Sequence, residues 1–177
     1  IHRDIKPSNL IAVRKPDGAI DVRILDFGLA RNFDGASEEA RVTKAGQIVG
    51  TVDYLAPEQA QGSKEVDGRA DVYSLGVTLF EMIAGQPPFT GESMMARLVA
   101  RVMHPAPSLS EFHPDAPPTL VEVLDRALAM RANDRFATAG EFAAALEKVE
   151  AQAKRSSSTA GTVEMPAAPT EAAAETM

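Results

Sequence analysis

The sequence contains no cysteine and no tryptophan, and it has few positive charges for its size. Without cysteine, neither disulfides nor thiolate metal sites can form. No apolar run approaches the ~18 residues of a membrane-spanning helix, so we expect no membrane span in this chain. The 18 Lys and Arg are outnumbered by 25 Asp and Glu, for a formal net charge of -7. This balance argues against a nucleic-acid or anionic-lipid surface, and the absence of cysteine fits a cytoplasmic protein.

The chain has 177 residues, of which 45% are hydrophobic, enough for one domain with a real core. Its composition changes near residue 151. We predict one domain over residues 1–150 and a disordered linker over 151–177, which is rich in Ala, Ser, Thr and Pro and poor in large apolar residues. The first residue is Ile, so we expect the chain to be a piece of something longer, whose parent could be membrane-anchored.

The first part of the domain is predicted to form a β-hairpin. Leu10–Arg14 and Ile20–Leu25 have the short alternating pattern of strands. Between them, Lys15-Pro16-Asp17-Gly18 has turn chemistry, because Pro restricts φ and Gly tolerates positive φ.

The rest of the domain is predicted to be helical. Apolar residues of period 3.6 predict a long helix over Asp71–Ala84, ended by Gly85-Gln86-Pro87-Pro88. A weaker pattern covers Ser93–Met103, another helix includes Leu120 to Leu128, and Thr138-Ala139-Gly140-Glu141 is a capping box that opens the last helix. One hairpin followed by helices predicts an α-rich α+β fold.

The ends of the predicted hairpin carry candidate chemistry. Antiparallel strands bring Asn9 and Asp26 to the same open end, where an amide oxygen and a carboxylate suit Mg²⁺ that also binds phosphates. Asp4 precedes Asn9 on the loop entering that end, and Lys6 adds a cation. An acid, two metal ligands and a cation around one point are the equipment of phosphoryl transfer. The alternative interpretation is that Asp4, Asn9 and Asp26 are ordinary turn residues.

With these residues in this order, the sequence resembles the eukaryotic-type protein kinases, in particular their bacterial members. The motifs that carry the resemblance are His2-Arg3-Asp4, Lys6-Pro7, Asn9, Asp26-Phe27-Gly28, Gly50-Thr51, Tyr54-Leu55-Ala56-Pro57-Glu58-Gln59 and Asp71-Val72-Tyr73-Ser74-Leu75-Gly76-Val77. The resemblance covers about residues 1–150 and implies a partial, kinase-like large lobe with the hairpin at its active site. It implies ATP and Mg²⁺ as cofactors and protein substrates.

The resemblance also implies a role for each matching residue. Asp4 corresponds to the base that accepts the substrate hydroxyl proton, and Lys6 to the residue that contacts the γ-phosphate and favours Ser/Thr substrates. Asn9 and Asp26 correspond to the Mg²⁺ ligands, and Thr51 to the threonine that bonds the catalytic Asp and Lys.

Four further residues correspond to structural positions of the family. Glu58 corresponds to the partner of a distant Arg, here assigned to Arg135. Asp71 corresponds to the acid on the central helix that holds the catalytic loop's backbone. His2 is interpreted as a packing residue rather than a catalytic one.

The resemblance predicts regulation through an activation segment from Asp26 to Glu58, whose part from Gly50 to Glu58 docks the substrate. The family uses an Arg at the position of Arg3 to bind a phosphorylated residue of this segment, since phosphate pairs strongly with guanidinium. Our candidate is Thr43, with Arg3 and Arg31 as its pocket; the alternative is that Thr43 is an ordinary loop residue.

Some family motifs are missing from the 177 residues. No Gly-rich G-x-G-x-x-G loop and no V-A-I-K lysine occur, so we expect the small lobe to be absent from this chain and the chain alone to have little or no activity. We also expect an apolar patch of the helix Asp71–Ala84 to face water. The alternatives are a non-catalytic docking or regulatory module and a small-molecule phosphotransferase.

Overall fold

The computed structural model describes residues 1–25 and 52–159. Within these ranges the chain is mainly helical, with one two-stranded antiparallel sheet. The strands are β1 (Leu10–Arg14) and β2 (Ile20–Ile24), and the α-helices are α1 (Pro57–Ala60), α2 (Arg69–Ala84), α3 (Met94–Met103), α4 (Pro118–Ala127) and α5 (Ala139–Thr159). The predicted α+β class, helical apart from one hairpin, is confirmed for these residues.

The hairpin forms where the sequence predicts it. Leu10 pairs with Ile24 at the open end, and Arg14 pairs with Ile20 beside the turn. Gly18 has a φ of 85°, which only glycine adopts without strain, and its N–H donates to the Lys15 carbonyl at 3.0 Å. The turn therefore sets the register that brings the chain back beside its starting point.

Helix α2 is the centre of the fold. It begins two residues before the predicted start and ends at Gly85, whose left-handed φ of 76° lets its N–H donate to the Glu81 carbonyl at 2.8 Å. Its buried residues face more than one direction, because other elements pack on several sides of it. At Gly76, an added Cβ would lie 3.1 Å from the Cβ of Ala127, so glycine permits the close approach of α4.

The later helices begin at residues suited to capping. The Ser93 hydroxyl accepts the Ala96 N–H at 3.1 Å at the start of α3. At the start of α5, the Thr138 hydroxyl accepts the Glu141 N–H at 3.1 Å, and the Glu141 carboxylate accepts the Ala137 N–H at 3.1 Å. The predicted capping box is therefore present, with its return bond one residue earlier than the standard pattern.

Helix α5 continues to Thr159, past the predicted end of the domain at residue 150. The prediction of disorder from residue 151 onwards is therefore wrong for the first part of the tail. Ala151 and Ala153 are strong helix formers, and Lys154 pairs with Glu150 one turn away, so the helix extends beyond the last apolar contact. Residues 160–177 lie outside the described residues, and their assignment as a linker stays a prediction.

The core consists of two clusters on opposite sides of α2. The first joins α2 residues Tyr73, Val77 and Phe80 to Leu109, and also includes Ala56, Ala70, Leu124 and Leu128. The second joins Val72 to the C-terminal part of the domain through Ala127, Phe136 and Phe142. Because each fully buried Leu, Val or Phe contributes about 1.5–3 kcal/mol, these clusters fix α2 as the frame on which the other elements are arranged.

One large apolar side chain of α2 is exposed, which is less than the apolar patch predicted from the sequence. Met82 is 74% exposed, and Leu79 and Ile83 line an open groove that α4 and α5 complete with Leu120 and Leu146. Among the described residues, no helix combines the length and the apolar character needed to cross a membrane.

Candidate active site

Three side chains predicted to act together lie around one short turn. Residues Pro7–Asn9 form a 3₁₀ turn that leads into β1, with Asp4 and Lys6 just before it. The Lys6 ammonium lies 3.0 Å from Asp4 Oδ1 and 2.9 Å from Oδ2. The side chain of Asp4 is 55% exposed, whereas that of Lys6 is 16% exposed. The carboxylate is therefore accessible to an incoming molecule, beside a cation that is largely shielded from water.

Asn9 is buried and its amide has a defined orientation. Its Nδ2 donates to the Asp4 carbonyl at 2.7 Å and to Asp4 Oδ2 at 3.0 Å. This leaves Oδ1, the atom suited to Mg²⁺, directed away from these bonds. The Asn9 carbonyl accepts the Leu25 N–H at 2.8 Å, so the chain returns beside Asn9 one residue before Asp26. Asp26 itself lies outside the described residues, and its meeting with Asn9 stays a prediction.

Helix α2 anchors the loop before this turn through hydrogen bonds. The carboxylate of Asp71 accepts the backbone N–H groups of His2 and Arg3, each at 2.8 Å. The His2 ring donates from Nε2 to the Leu25 carbonyl at 3.1 Å and accepts the Asp4 N–H at Nδ1. Through these contacts, Asp71 and His2 hold the backbone of the loop.

The segment predicted to dock the substrate is described from Val52 onwards, and it packs on α2. The Tyr54 hydroxyl donates to Glu81 Oε2 at 2.5 Å, and the Tyr54 carbonyl accepts the Ser74 hydroxyl at 2.7 Å. Burial, followed by the bond to Glu81, raises the pKa of Tyr54 well above its ordinary value. Tyr54 therefore acts as a neutral hydrogen-bond donor that attaches this segment to α2.

Glu58 and Arg135 form a bidentate ion pair, with both N–O distances at 2.8 Å. Arg135 is buried, and its guanidinium also donates to the carbonyls of Ala129, Met130 and Arg69 and lies 4.8 Å from the centre of the Tyr73 ring. Desolvation raises the pKa of Tyr73 to about 12. The pair thus joins α1 to the loop before α5 inside the protein rather than at its surface.

Two arginines that contact these segments were not predicted from the sequence, and Gln59 was named there only as part of a motif, without a contact. Arg97 and Arg101 of α3 bind the residues immediately before Tyr54. Gln59 donates to the Arg3 carbonyl at 3.3 Å and accepts the Ala56 N–H at 3.1 Å, which connects α1 to the catalytic-loop candidate. The spacing of Arg97 and Arg101, four residues apart on an otherwise apolar helix, is the signal that could have identified the arginines.

Four predicted residues lie outside the described part of the chain: Asp26, Arg31, Thr43 and Thr51. Arg3 is described and half-buried, adjacent to Asp4. Within the described ranges, no three His, Cys, Asp or Glu side chains converge as a metal site would require. Asn9 Oδ1 is compatible with a site in which phosphate oxygens supply most ligands to Mg²⁺.

The family of the chain follows from comparison with known sequences. Residues 1–147 match the model of the protein kinase domain, so the chain belongs to the protein kinase family. The match includes the Asp4, Lys6 and Asn9 cluster, the Glu58–Arg135 pair and the anchor at Asp71. Protein kinases in general use ATP and Mg²⁺, and the chain is a partial kinase domain.

Several similar curated proteins are bacterial serine/threonine kinases. The chain is 43% identical over 147 residues to serine/threonine-protein kinase Pkn1 of Myxococcus xanthus, covering 83% of this chain and 21% of that protein. It is 41% identical over 149 residues to PknB of Mycolicibacterium smegmatis, covering 84% of this chain and 23% of that protein. The chain thus spans about a fifth of the length of these relatives. The similarity supports membership of the bacterial, Hanks-type branch of the protein kinase family.

Proposed function

We propose that the protein to which this chain belongs transfers the γ-phosphate of ATP to serine and threonine hydroxyls of other proteins, in the cytoplasm. The observation that carries the proposal is the cluster in which the exposed Asp4 carboxylate contacts both the Lys6 ammonium and the Asn9 amide. Phosphoryl transfer requires little covalent work from the enzyme, so positioned charges supply most of the rate. In this proposal the chain is the active-site side of the large lobe.

Each residue of the cluster has one task in the proposed reaction. Asp4 accepts the proton of the substrate hydroxyl, since its carboxylate is exposed and oriented by two neighbours. Lys6 contacts the γ-phosphate and offsets its charge. Asn9 and Asp26 would hold Mg²⁺, which neutralises phosphate charge when bound. The proposed substrate polypeptide lies along residues 50–58, where Thr51 would bond Asp4 and Lys6.

Regulation is proposed to act on the same loop. Phosphorylated Thr43 would pair with Arg3 and Arg31, and Arg3 is joined by its backbone to Asp4 and to the Asp71 anchor. A phosphate there would stabilise the activation segment against the catalytic loop through charge-assisted hydrogen bonds. Phosphopeptide mapping of the active protein tests this step, and an unmodified Thr43 would remove it.

The decisive experiment uses the full-length protein with Mg²⁺-ATP and a protein substrate. Asp4→Asn is expected to lower kcat about 10²–10⁴-fold, because it removes the proton acceptor and keeps the side-chain shape. Asp17→Asn is the matched control, since Asp17 lies in the turn at the far end of the same hairpin, and it is expected to leave kcat unchanged. If both variants keep the wild-type rate of phosphate transfer, the proposed role of Asp4 is contradicted.

The same assay separates the alternatives. A full-length wild-type protein that transfers no phosphate to any protein would favour a docking or regulatory module. Transfer to small molecules alone would favour a small-molecule phosphotransferase. For the isolated 177-residue chain we predict little or no transfer, because it contains no Gly-rich loop to cover the phosphates.

A further inference from the structure

Arg101, in the last turn of α3, is fully buried, with 0% exposure, in a domain whose other buried side chains are mostly apolar. Its guanidinium donates through Nη1 to the Val52 carbonyl and through Nη2 to the Asp53 carbonyl, the latter at 2.5 Å. Its cationic end also lies 5.3 Å from the centre of the Phe89 ring. The side chain thus crosses from α3 to the backbone of the segment that precedes Ala56-Pro57-Glu58.

A second arginine binds the same segment from the previous turn of α3. Arg97 donates from Nε to Asp53 Oδ1 at 2.6 Å, and from Nη1 to the Gly91 carbonyl at 3.2 Å. Asp53 is therefore held by its carboxylate and by its carbonyl, each through a different arginine. Because Arg97 and Arg101 are four residues apart, both project from one face of α3.

Stability alone does not account for an arginine at position 101. Burial lowers the pKa of its guanidinium, which reflects the cost of keeping a cation away from water. Among the described residues, Nε of Arg101 has no hydrogen-bond acceptor. An apolar side chain of similar length would fill the same space without that cost. Two backbone carbonyls of the Val52–Tyr54 segment accept hydrogen bonds from the guanidinium, which also interacts with the Tyr73 hydroxyl of α2.

We propose that Arg101 is a positioning residue for the protein substrate: it holds the backbone of Val52–Tyr54 in the conformation that receives the substrate polypeptide. This inference rests on the proposed function, in which residues 50–58 form the docking segment. Arg97 supports the same arrangement through Asp53. The nucleotide side of the site is built on Asp4, Lys6 and Asn9, none of which contacts Arg101, so the effect of Arg101 is selective for the protein substrate.

The kinetic test measures the full-length protein with a peptide substrate and Mg²⁺-ATP. Arg101→Met is expected to raise KM for the peptide about tenfold, as expected for loss of hydrogen bonds from a charged donor, with KM for ATP unchanged. Arg101→Lys is expected to recover part of this loss, because an ammonium can donate to one carbonyl and lacks the planar fork of arginine. Arg131→Met, at an exposed arginine outside α3, is the control and is expected to match the wild type.

Hydrogen–deuterium exchange tests the same proposal without any catalytic readout. In Arg101→Met, the amides of residues 52–55 are expected to exchange faster, while those of α4 and α5 keep their wild-type rates. Arg97→Gln, at a partly exposed site, is expected to give the same pattern with a smaller change and serves if Arg101→Met does not fold.

The outcomes distinguish this proposal from the proposed function. If the wild type transfers no phosphate, the proposed function fails, and the exchange measurement still decides whether Arg101 positions the segment. Wild-type exchange of residues 52–55 in a folded Arg101→Met variant would overturn the positioning role. An equal rise in KM for peptide and for ATP would overturn its selectivity for the protein substrate.

Discussion

Asp71 holds Arg3 in a backbone conformation that L-residues rarely adopt. Arg3 has a φ of 68°, and its N–H donates to Asp71 Oδ1 at 2.8 Å. A non-glycine residue in this region costs about 1–3 kcal/mol unless its surroundings compensate. The second oxygen of Asp71 accepts the His2 N–H at 2.8 Å, so one carboxylate of α2 fixes the two residues before Asp4. The position of the proposed base therefore depends on the central helix.

Substitution of Asp71 is expected to loosen this loop. Asp71→Ala removes two hydrogen bonds to a charged acceptor and should lower the free energy of unfolding by about 3 kcal/mol. Denaturant unfolding followed by circular dichroism measures the change. Asp115→Ala, at an exposed loop position, is the control and should change stability by less than about 0.5 kcal/mol. Equal stability of both variants would show that the loop is held without Asp71.

Loss of Arg135 is expected to be among the most destabilising single changes. Arg135→Met leaves the Glu58 carboxylate, with 17% exposure, without its cation, and breaking such a pair costs about 3–5 kcal/mol. Arg135→Lys should restore little, because a lysine cannot reach Glu58 and the three backbone carbonyls together. Chemical unfolding measures the effect, with Arg131→Met as the exposed control. A double variant with Glu58→Gln that is more stable than Arg135→Met would confirm that the unpaired carboxylate is the cause, and equal stability would contradict it.

A side chain at residue 76 is expected to clash with α4, which packs closely on α2 there. Gly76→Val places carbon atoms against Ala127 and Leu128, where an added Cβ already lies within 3.1–3.2 Å of its neighbours. Overpacking of this kind should cost about 1–3 kcal/mol. Gly140→Ala is the matched control, because its Cβ would meet its nearest neighbour at 3.7 Å, and it should stabilise α5 by about 0.5–1 kcal/mol. Thermal melting of both variants measures the two changes in stability, which are expected to have opposite signs.

The two tyrosines provide a pH test that no tryptophan obscures, since the chain contains Tyr54, Tyr73 and no Trp. Both pKa values are raised in the folded state, that of Tyr73 to about 12. The folded state therefore disfavours the ionised phenol. Below the ordinary pKa of about 10, tyrosine ionisation does not change the free energy of unfolding, and above that pH it lowers the free energy of unfolding. Absorbance at 295 nm should show no ionisation near pH 10 while the chain stays folded. A full-amplitude transition near pH 10 in folded protein would contradict the burial of both phenols.

The hairpin and most of the helices could be predicted because their signals are local. Lys15 to Gly18 forms the turn, Ser93 and Thr138 cap helices, and apolar residues recur along most of α2. The end of α5 was predicted wrongly because composition was weighed as a sign of disorder. Ala151 and Ala153 favour helix without any core contact, which a search for apolar periodicity does not detect.

Part of the candidate site could likewise be predicted from local sequence, and part could not. Asp4, Lys6 and Asn9 lie within six residues, so their sequence order already predicts that they share one turn. The partners of Asp71 and of Glu58 lie 69 and 77 residues away, and only the resemblance to a known family suggested them. For the two arginines of α3, the resemblance suggested no partner.

By itself, the amino-acid sequence determined the hairpin, the α2 helix and the set of polar groups that a phosphoryl-transfer site needs, because these depend on neighbours a few bonds away. The tertiary structure decided which way those groups face. Asp71 constrains Arg3, buried Arg135 pairs with Glu58, and Arg101 binds the Val52–Tyr54 backbone. Such contacts arise when a packed core brings distant segments within hydrogen-bond range, and the cost of burying a charge then makes each of them specific.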